Sequence, residues 1–479
     1  TATRERTTTG DEGTDDDRQT MGVRRGFLSQ EASFHAMTKR ARALGAMWQD
    51  DYPWTFLTRL TEIENRLGGH PGERRAADLV AEGFERAGAR DVTMESFDIT
   101  RWDRGRAELA VTEPVRRSFE AVALPYSPGG DVRGELVDVG HGTPEEIDEV
   151  DVEGAIAVAS TTTPPGSRFV HRMEKFGHAA AAGAEAFVFH NHVAGQLPPT
   201  GSLTFGDVAA RPGVGVSRET GAWLTDYADR GATATLSVDA GAEPATSHDV
   251  HAELGPETDE EVLVLAHLDA HDIAEGALDN GCGITVVVTA AHLLAELDLD
   301  ARVRVAGVGC EETGLLGSEA LADRLDIDRV RAVVNVDGAG RFRDVRAFTH
   351  GSETVRSVAE RVADETNQPI AVEENVHPFS DHWPFLRRGV PALQLHSRQD
   401  DSSPGQRGRG WGHTHADTRD KADARNLREH AMLTALLVQE LTRREDVPRR
   451  DADAVAEDLR ERDYEEGMRA ADIWPEDWS

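Results

Sequence analysis

The sequence predicts an α/β protein: a mixed, mostly parallel central sheet with helices on both faces, plus a small inserted α/β module. Three observations carry that expectation. From residue 247 onward, short apolar runs alternate with helix-length amphipathic stretches. Some of the runs are apolar at every position, Val262-Leu263-Val264-Leu265 above all, which is how a parallel strand covered on both faces reads. Between about 115 and 245 the texture changes to short β-like runs spaced by Gly/Pro turns, as expected of a separate module.

Taken in order, residues 1–33 are rich in Thr, Asp and Glu with almost nothing to bury, and are expected to be disordered. Arg24-Arg25-Gly26-Phe27-Leu28 looks like the start of an export signal, but no apolar stretch follows it, so that reading is rejected. Helical periodicity begins near Phe34 and runs through Trp48 and 57–63. The turn Gly68-Gly69-His70-Pro71-Gly72 then precedes a helix over 73–87 and a strand over 92–97. Residues 34–114 and 246–445 are expected to form one discontinuous domain around an insert at 115–245. In the insert, strands are expected at 135–139, 155–159, 186–190, 214–216 and 233–238, with one helix at 172–182. Beyond it, strands are expected at 261–266, 303–309, 332–337, 345–349 and 391–396. The intervening helices fall at 284–297, 317–325, 354–365 and 427–443. The acidic tail 446–479 is expected to pack, if it does, as a helix through Trp474 and Trp478.

At 479 residues and 39% hydrophobic, the chain suits two or three domains with buried cores. Its 87 acidic residues against 52 basic ones give a net charge of −35, a field that repels nucleic acid and anionic membrane. Lys39, Lys175 and Lys421 are its only lysines. Acidity with so little lysine resembles proteins of salt-loving archaea; an acidic bias in a GC-rich genome is the competing reading. Cys282 and Cys310 are too few for a disulfide framework and are expected to be small buried packing residues. No run of 18 apolar residues occurs, so no membrane-spanning helix and a cytoplasmic location are expected.

The chemistry-bearing residues fall at strand ends. His267 and Asp269 follow the strand at 261–266. Asp279 and Asn280 lie in the Gly-bounded loop Gly276–Gly281. Glu311 and Glu312 follow the strand at 303–309, and Asp337 ends the strand at 332–337. In an open α/β sheet these positions converge on one edge, where ligands bind. Singly, each has an ordinary explanation as a turn residue, a helix cap or a structural histidine. Together, so many like charges are costly unless cations neutralise them. Two divalent metals bridged by a carboxylate meet that need.

The motifs His267-Leu268-Asp269, Gly276–Gly283, Glu311–Ser318, Asn335-Val336-Asp337, Ser380–Phe385 with Gly389–Ala392, and His413–Thr418 stand in the order of the two-zinc exopeptidases. The chain resembles the branch that includes aminopeptidase Y, bacterial leucyl aminopeptidases and glutamate carboxypeptidase, over about 55–445. The resemblance implies a zinc-exopeptidase sheet and two Zn²⁺ per chain, with Co²⁺ or Mn²⁺ as substitutes. It makes Asp279 the bridging ligand, gives His267 and Asp337 to one ion, and gives Glu312 and His413 to the other. It makes Glu311 the general base and has Asp269 fix the His267 tautomer. It also implies a cis peptide at Asp279–Asn280. His415 competes with His413 as the last ligand; His382 reads as a pocket or supporting residue and His271 as a solvated surface histidine. The insert resembles a protease-associated domain, on Gly154–Val158, the helix through Phe176, and Phe187–His190.

The expected activity is removal of N-terminal residues from peptides. A carboxypeptidase or dipeptidase would want an arginine clamp, for which Arg387, Arg388, Arg398, Arg407 and Arg409 are candidates. A catalytically dead receptor-like protein, or a single-metal cyclising acyltransferase, are the readings from other classes. The oligomeric state and side-chain preference are not legible.

Overall fold

The computed structural model describes residues 37–398, 410–476 and 478. The N-terminal stretch expected to be disordered, and Arg407 and Arg409, lie outside these residues. The chain opens with helices over 37–49, Tyr52–Thr61 and Pro71–Arg86, then enters strand β1 (Arg90–Asp103). It leaves for a second sheet made of β2 (Ala107–Glu113), β3 (Arg117–Phe119), β4 (Val122–Ala123), β5 (Gly130–Asp138), β6 (Ile156–Ser160), β7 (Ala186–His190), β8 (Gly213–Val216) and β9 (Thr233–Val238). It returns along β10 (Gly241–Leu254), antiparallel to β1. The remaining strands are β11 (Glu261–His267), β12 (Arg302–Val308), β13 (Val330–Val336), β14 (Asp344–Phe348), β15 (Ile370–Glu373) and β16 (Ala392–Arg398).

The main sheet runs β1-β10-β12-β11-β13-β16-β14-β15. Its centre, β12-β11-β13-β16, is parallel, and antiparallel pairs flank it. The all-apolar pattern of β11 has the expected cause. Val262, Val264 and Ala266 pack into the larger core beneath the helices Cys282–Glu296 and Ala424–Thr442, while Leu263 and Leu265 face the opposite layer with Leu321 and Phe385. The segment Ala277–Glu296 is long and apolar enough to cross a membrane, yet 89% of its apolar window is buried inside this fold, as befits a central core helix.

Two features were not anticipated, and the C-terminal region, expected as one helix packing through Trp474 and Trp478, forms two. Strand β10 escapes a pattern search because its outer half pairs only with β1, carries Pro244 and is largely exposed. The insert contains the helix Arg218–Ala228, capped by Ser217, and the short helix Pro144–Asp148, besides Arg172–Ala181. The C-terminal region forms two helices, Ala452–Glu461 and Tyr464–Ala470, and its Trp474 and Trp478 rings pack edge to face. Trp478 in turn packs edge to face on Trp383, so this region is docked on the main domain.

Candidate metal centre

Three adjacent parallel strands deliver the site. His267 pairs in register with Val308, so β11 and β12 end level, and β13 ends beside them at Val336, just before Asp337. Asp269 ties two of these ends together. Its carboxylate accepts the backbone N–H groups of Glu311 and Glu312 at 3.1 and 3.2 Å, and its Oδ1 lies 3.3 Å from His267 Nδ1. His267 Nδ1 also stands 3.2 Å from the Asp269 carbonyl oxygen, which leaves Nε2 as the free lone pair.

The loop before the core helix supplies Asp279. Its backbone N–H and that of Leu278 donate to the Asp417 carboxylate at 3.1 and 2.7 Å. Asn280 is pinned in turn: its amide donates to the Val336 carbonyl, and its oxygen accepts from the N–H groups of Gly283 and Gly338. The Asp279–Asn280 peptide is cis, as the family resemblance implies. Asp337 is held by the Ser380 hydroxyl, 2.7 Å from Oδ2.

The functional atoms form two groups with Asp279 between them. In the first, His267, Glu311 and Asp337 bring donor atoms within 4.8 Å of one another. His267 Nε2 is 3.5 Å from Asp279 Oδ1 and 4.0 Å from Asp337 Oδ1. In the second, His413 Nε2 lies 3.2 Å from Asp279 Oδ2 and 3.1 Å from Glu312 Oε2, and His271 Nε2 lies 2.9 Å from that same Glu312 oxygen. Ligands on a tetrahedral zinc with bonds of about 2.0–2.1 Å stand about 3.3 Å apart. The spacings match a shared ion, and the wholly buried His267 Nε2 meets no hydrogen-bond partner in the protein. The residues fit divalent metal binding.

His271 corrects the sequence reading. It is buried rather than solvated, and its ring packs edge to face on His413 at 4.5 Å between centroids. The signal was present: His271 stands four residues past His267 in the same loop. His415 is exposed, whereas His413 faces the centre. Two contacts from the insert also went unread. The Ser202 hydroxyl donates to the Glu312 carbonyl at 2.7 Å, and the Thr200 carbonyl lies 3.2 Å from His413 Nδ1. Among the arginines weighed as a carboxylate clamp, Arg387 and Arg388 are both ion-paired to Glu319.

The electrostatics follow from burial against neighbours. Burial opposes a charge on Glu312, but His271 and His413 outweigh it and hold its carboxyl well below the usual range. Burial pushes Glu311 well up, with Glu312, Asp337 and Asp381 adding to the rise and His267 opposing it. Burial also opposes a proton on His267, yet Glu311, Asp269 and Asp279 prevail and raise its pKa. The site is therefore an excess of buried carboxylate that a cation would relieve.

Residues 249–438 match peptidase family M28, and residues 132–224 match the PA domain. The chain is 25% identical to aminopeptidase YwaD of Bacillus subtilis over 418 residues, spanning 83% of this chain and 86% of that protein. It superposes on an aminopeptidase from Aneurinibacillus sp. strain AM-1 with a TM-score of 0.65 and 26% identity, over 87% of this chain and 98% of the other. A zinc aminopeptidase from Bacillus subtilis shares the fold with a TM-score of 0.65 at 24% identity, over 81% and 94% of the two chains. The chain thus carries a peptidase family M28 domain over residues 249–438 and, ahead of it in sequence, a PA domain over residues 132–224.

Proposed function

We propose that this chain is a metallo-aminopeptidase with a co-catalytic pair of zinc ions. His267 and Asp337 would hold one, Glu312 and His413 with His271 beside them would hold the other, and Asp279 would serve both. The observation that carries the reading is the Asp279 carboxylate, whose Oδ1 faces His267 at 3.5 Å and whose Oδ2 faces His413 at 3.2 Å. One carboxylate presenting opposite oxygens to two imidazoles is the arrangement a bridging ligand needs. Zinc, when bound, supplies Lewis acidity toward the scissile carbonyl and lowers the pKa of a water. Glu311, half-buried in the same donor group as His267 and Asp337, takes the water's proton and passes it to the leaving amine. Asp269 holds Glu311 and Glu312 through their backbone N–H groups and so sets the distance between base and ligands.

An aminopeptidase is favoured over a carboxypeptidase because Arg387 and Arg388 are committed to Glu319 rather than to the site. Relatives named aminopeptidases or leucine aminopeptidases point the same way. The test is a peptide series assayed with added Zn²⁺: free at both ends, N-acetylated, and C-amidated. Acetylation should abolish cleavage and amidation should leave it. Cleavage that survives acetylation and fails on amidation would make the enzyme a carboxypeptidase.

A further inference from the structure

A second cluster of metal-type donors lies outside the site described above. His350 follows β14, His377 follows β15, and His382 precedes the short helix Trp383–Leu386. Their rings converge: His350 stacks on His382 at 4.2 Å between centroids, and His377 stands edge-on to both at 4.9 Å. One nitrogen from each lies within 4.8 Å of the other two. His350 and His382 are fully buried.

Stacking explains aromatic packing but not the choice of histidine, since phenylalanine or leucine would stack without polar atoms to satisfy. Both nitrogens of His350, Nδ1 of His377 and Nδ1 of His382 are buried without a hydrogen-bond partner in the protein. Each such group costs about 1–3 kcal/mol when left unmet. His382 is also preset as a ligand. Its Nε2 faces the His377 carbonyl at 3.1 Å and donates to it, which leaves the buried, unpartnered Nδ1 as the nitrogen with a lone pair. Burial drives all three pKa values down, so the imidazoles are neutral at pH 7 and their lone pairs are available.

We propose that His350, His377 and His382 form a third metal site, separate from the catalytic centre, that takes a divalent transition ion of the Zn²⁺ class. Three neutral imidazoles with no carboxylate suit Zn²⁺, Co²⁺, Ni²⁺ or Cu²⁺ and not Ca²⁺ or Mg²⁺. Side-chain rotations of about an ångström bring the nitrogens to the spacing of about 3.3 Å that a tetrahedral ion needs. Arg450 donates to the His350 carbonyl at 2.6 Å and is paired with Asp458 at 2.6 Å, so its charge is neutralised beside the site. The ion would staple the β14–β15 edge of the sheet to the Ser380–Leu386 segment.

The test uses the full chain carrying Asp279→Ala and His413→Ala, which removes proposed catalytic ligands, and titrates it with Co²⁺. One Co²⁺ per chain should remain, with the visible band of a four- or five-coordinate ion, and Zn²⁺ should displace it. Adding His350→Phe, which keeps the stack, or His382→Gln, the milder change, should each remove that equivalent. If the first unfolds, the second decides. An unchanged Co²⁺ count in His382→Gln, or no Co²⁺ bound in the starting variant, overturns the proposal and leaves a buried water as the partner of these nitrogens. In the otherwise unaltered chain, His382→Gln should hold one zinc fewer. If both chains hold the same two ions and cleave peptides, this proposal fails while the peptidase reading stands.

Discussion

At the scale of single residues, Glu311 and Asp269 separate two jobs that the fold brings together from positions 42 residues apart. If Glu311 carries the proton as proposed, Glu311→Ala should keep the zinc content and lose about 10²–10⁴-fold in kcat. Zinc analysis beside steady-state rates checks this, and full activity would remove Glu311 from the mechanism. Asp269 contributes orientation. Its two oxygens accept from Glu311 and Glu312, and an asparagine would turn an N–H group toward one of those donors. Asp269→Asn should therefore weaken zinc binding about 10–100-fold. Isothermal titration checks it, and wild-type affinity would show that the carboxylate is not needed. Much at this scale was legible, because a charged residue placed just after an apolar strand has only the sheet edge to go to. His271 was not. Its burial depends on His413, 142 positions later in the chain, and on Arg104 pairing with Asp272 beside it. No local pattern encodes those contacts.

At the scale of elements, the helix Ala424–Thr442 covers the core and is pinned to the loop after β13 by Asn426 and His430. His430 Nδ1 accepts the Gly340 N–H at 3.1 Å, and Nε2 faces the Arg343 carbonyl at 2.9 Å, so the ring is held neutral. Burial lowers its pKa from 6.5 to about 4. A histidine depressed in the folded state binds fewer protons there than when unfolded. Its contribution is thus complete above pH 6.5 and is lost as pH falls from 6.5 toward 4, amounting to about 3 kcal/mol. Denaturant titrations across that window should show the loss, and His430→Gln should remove about one proton from the pH slope. An unchanged slope would assign the acid lability to other groups. Helices and buried strands were legible because their apolar period is local. The outer half of β10 was not, since a two-stranded ribbon in solvent has no apolar face to mark it. Nor did periodicity mark the helix Arg218–Ala228, although its Ser217 cap accepts the Thr220 N–H as an N-cap serine should.

At the scale of the whole molecule, the net charge of −35 sets the response to salt. Many arginines are already paired, some deep in the fold, as Arg304 is with Glu261 at 3.0 Å, and others at the surface, as Arg59 is with Glu82 at 2.7 Å. Surface pairs contribute about 0–1 kcal/mol each and weaken with salt, while buried ones are little screened. The larger effect of salt is therefore on the unpaired acidic excess, whose mutual repulsion favours expansion. The Debye length falls from about 10 Å at 0.1 M to about 3 Å at 1 M, so repulsion across the surface is mostly gone by the upper value. The melting temperature should rise over that range, by about 1 °C for each kcal/mol relieved in a chain of this length, measured in chloride salts at fixed pH. Shape separates two causes. Screening alone levels off near 1 M and does not depend on the anion. A further rise into multimolar salt, larger in sulfate than in chloride, means exclusion of the salt from the protein surface adds to it. A melting temperature that stays flat between 0.1 M and 1 M would show that the acidic excess does not strain this fold.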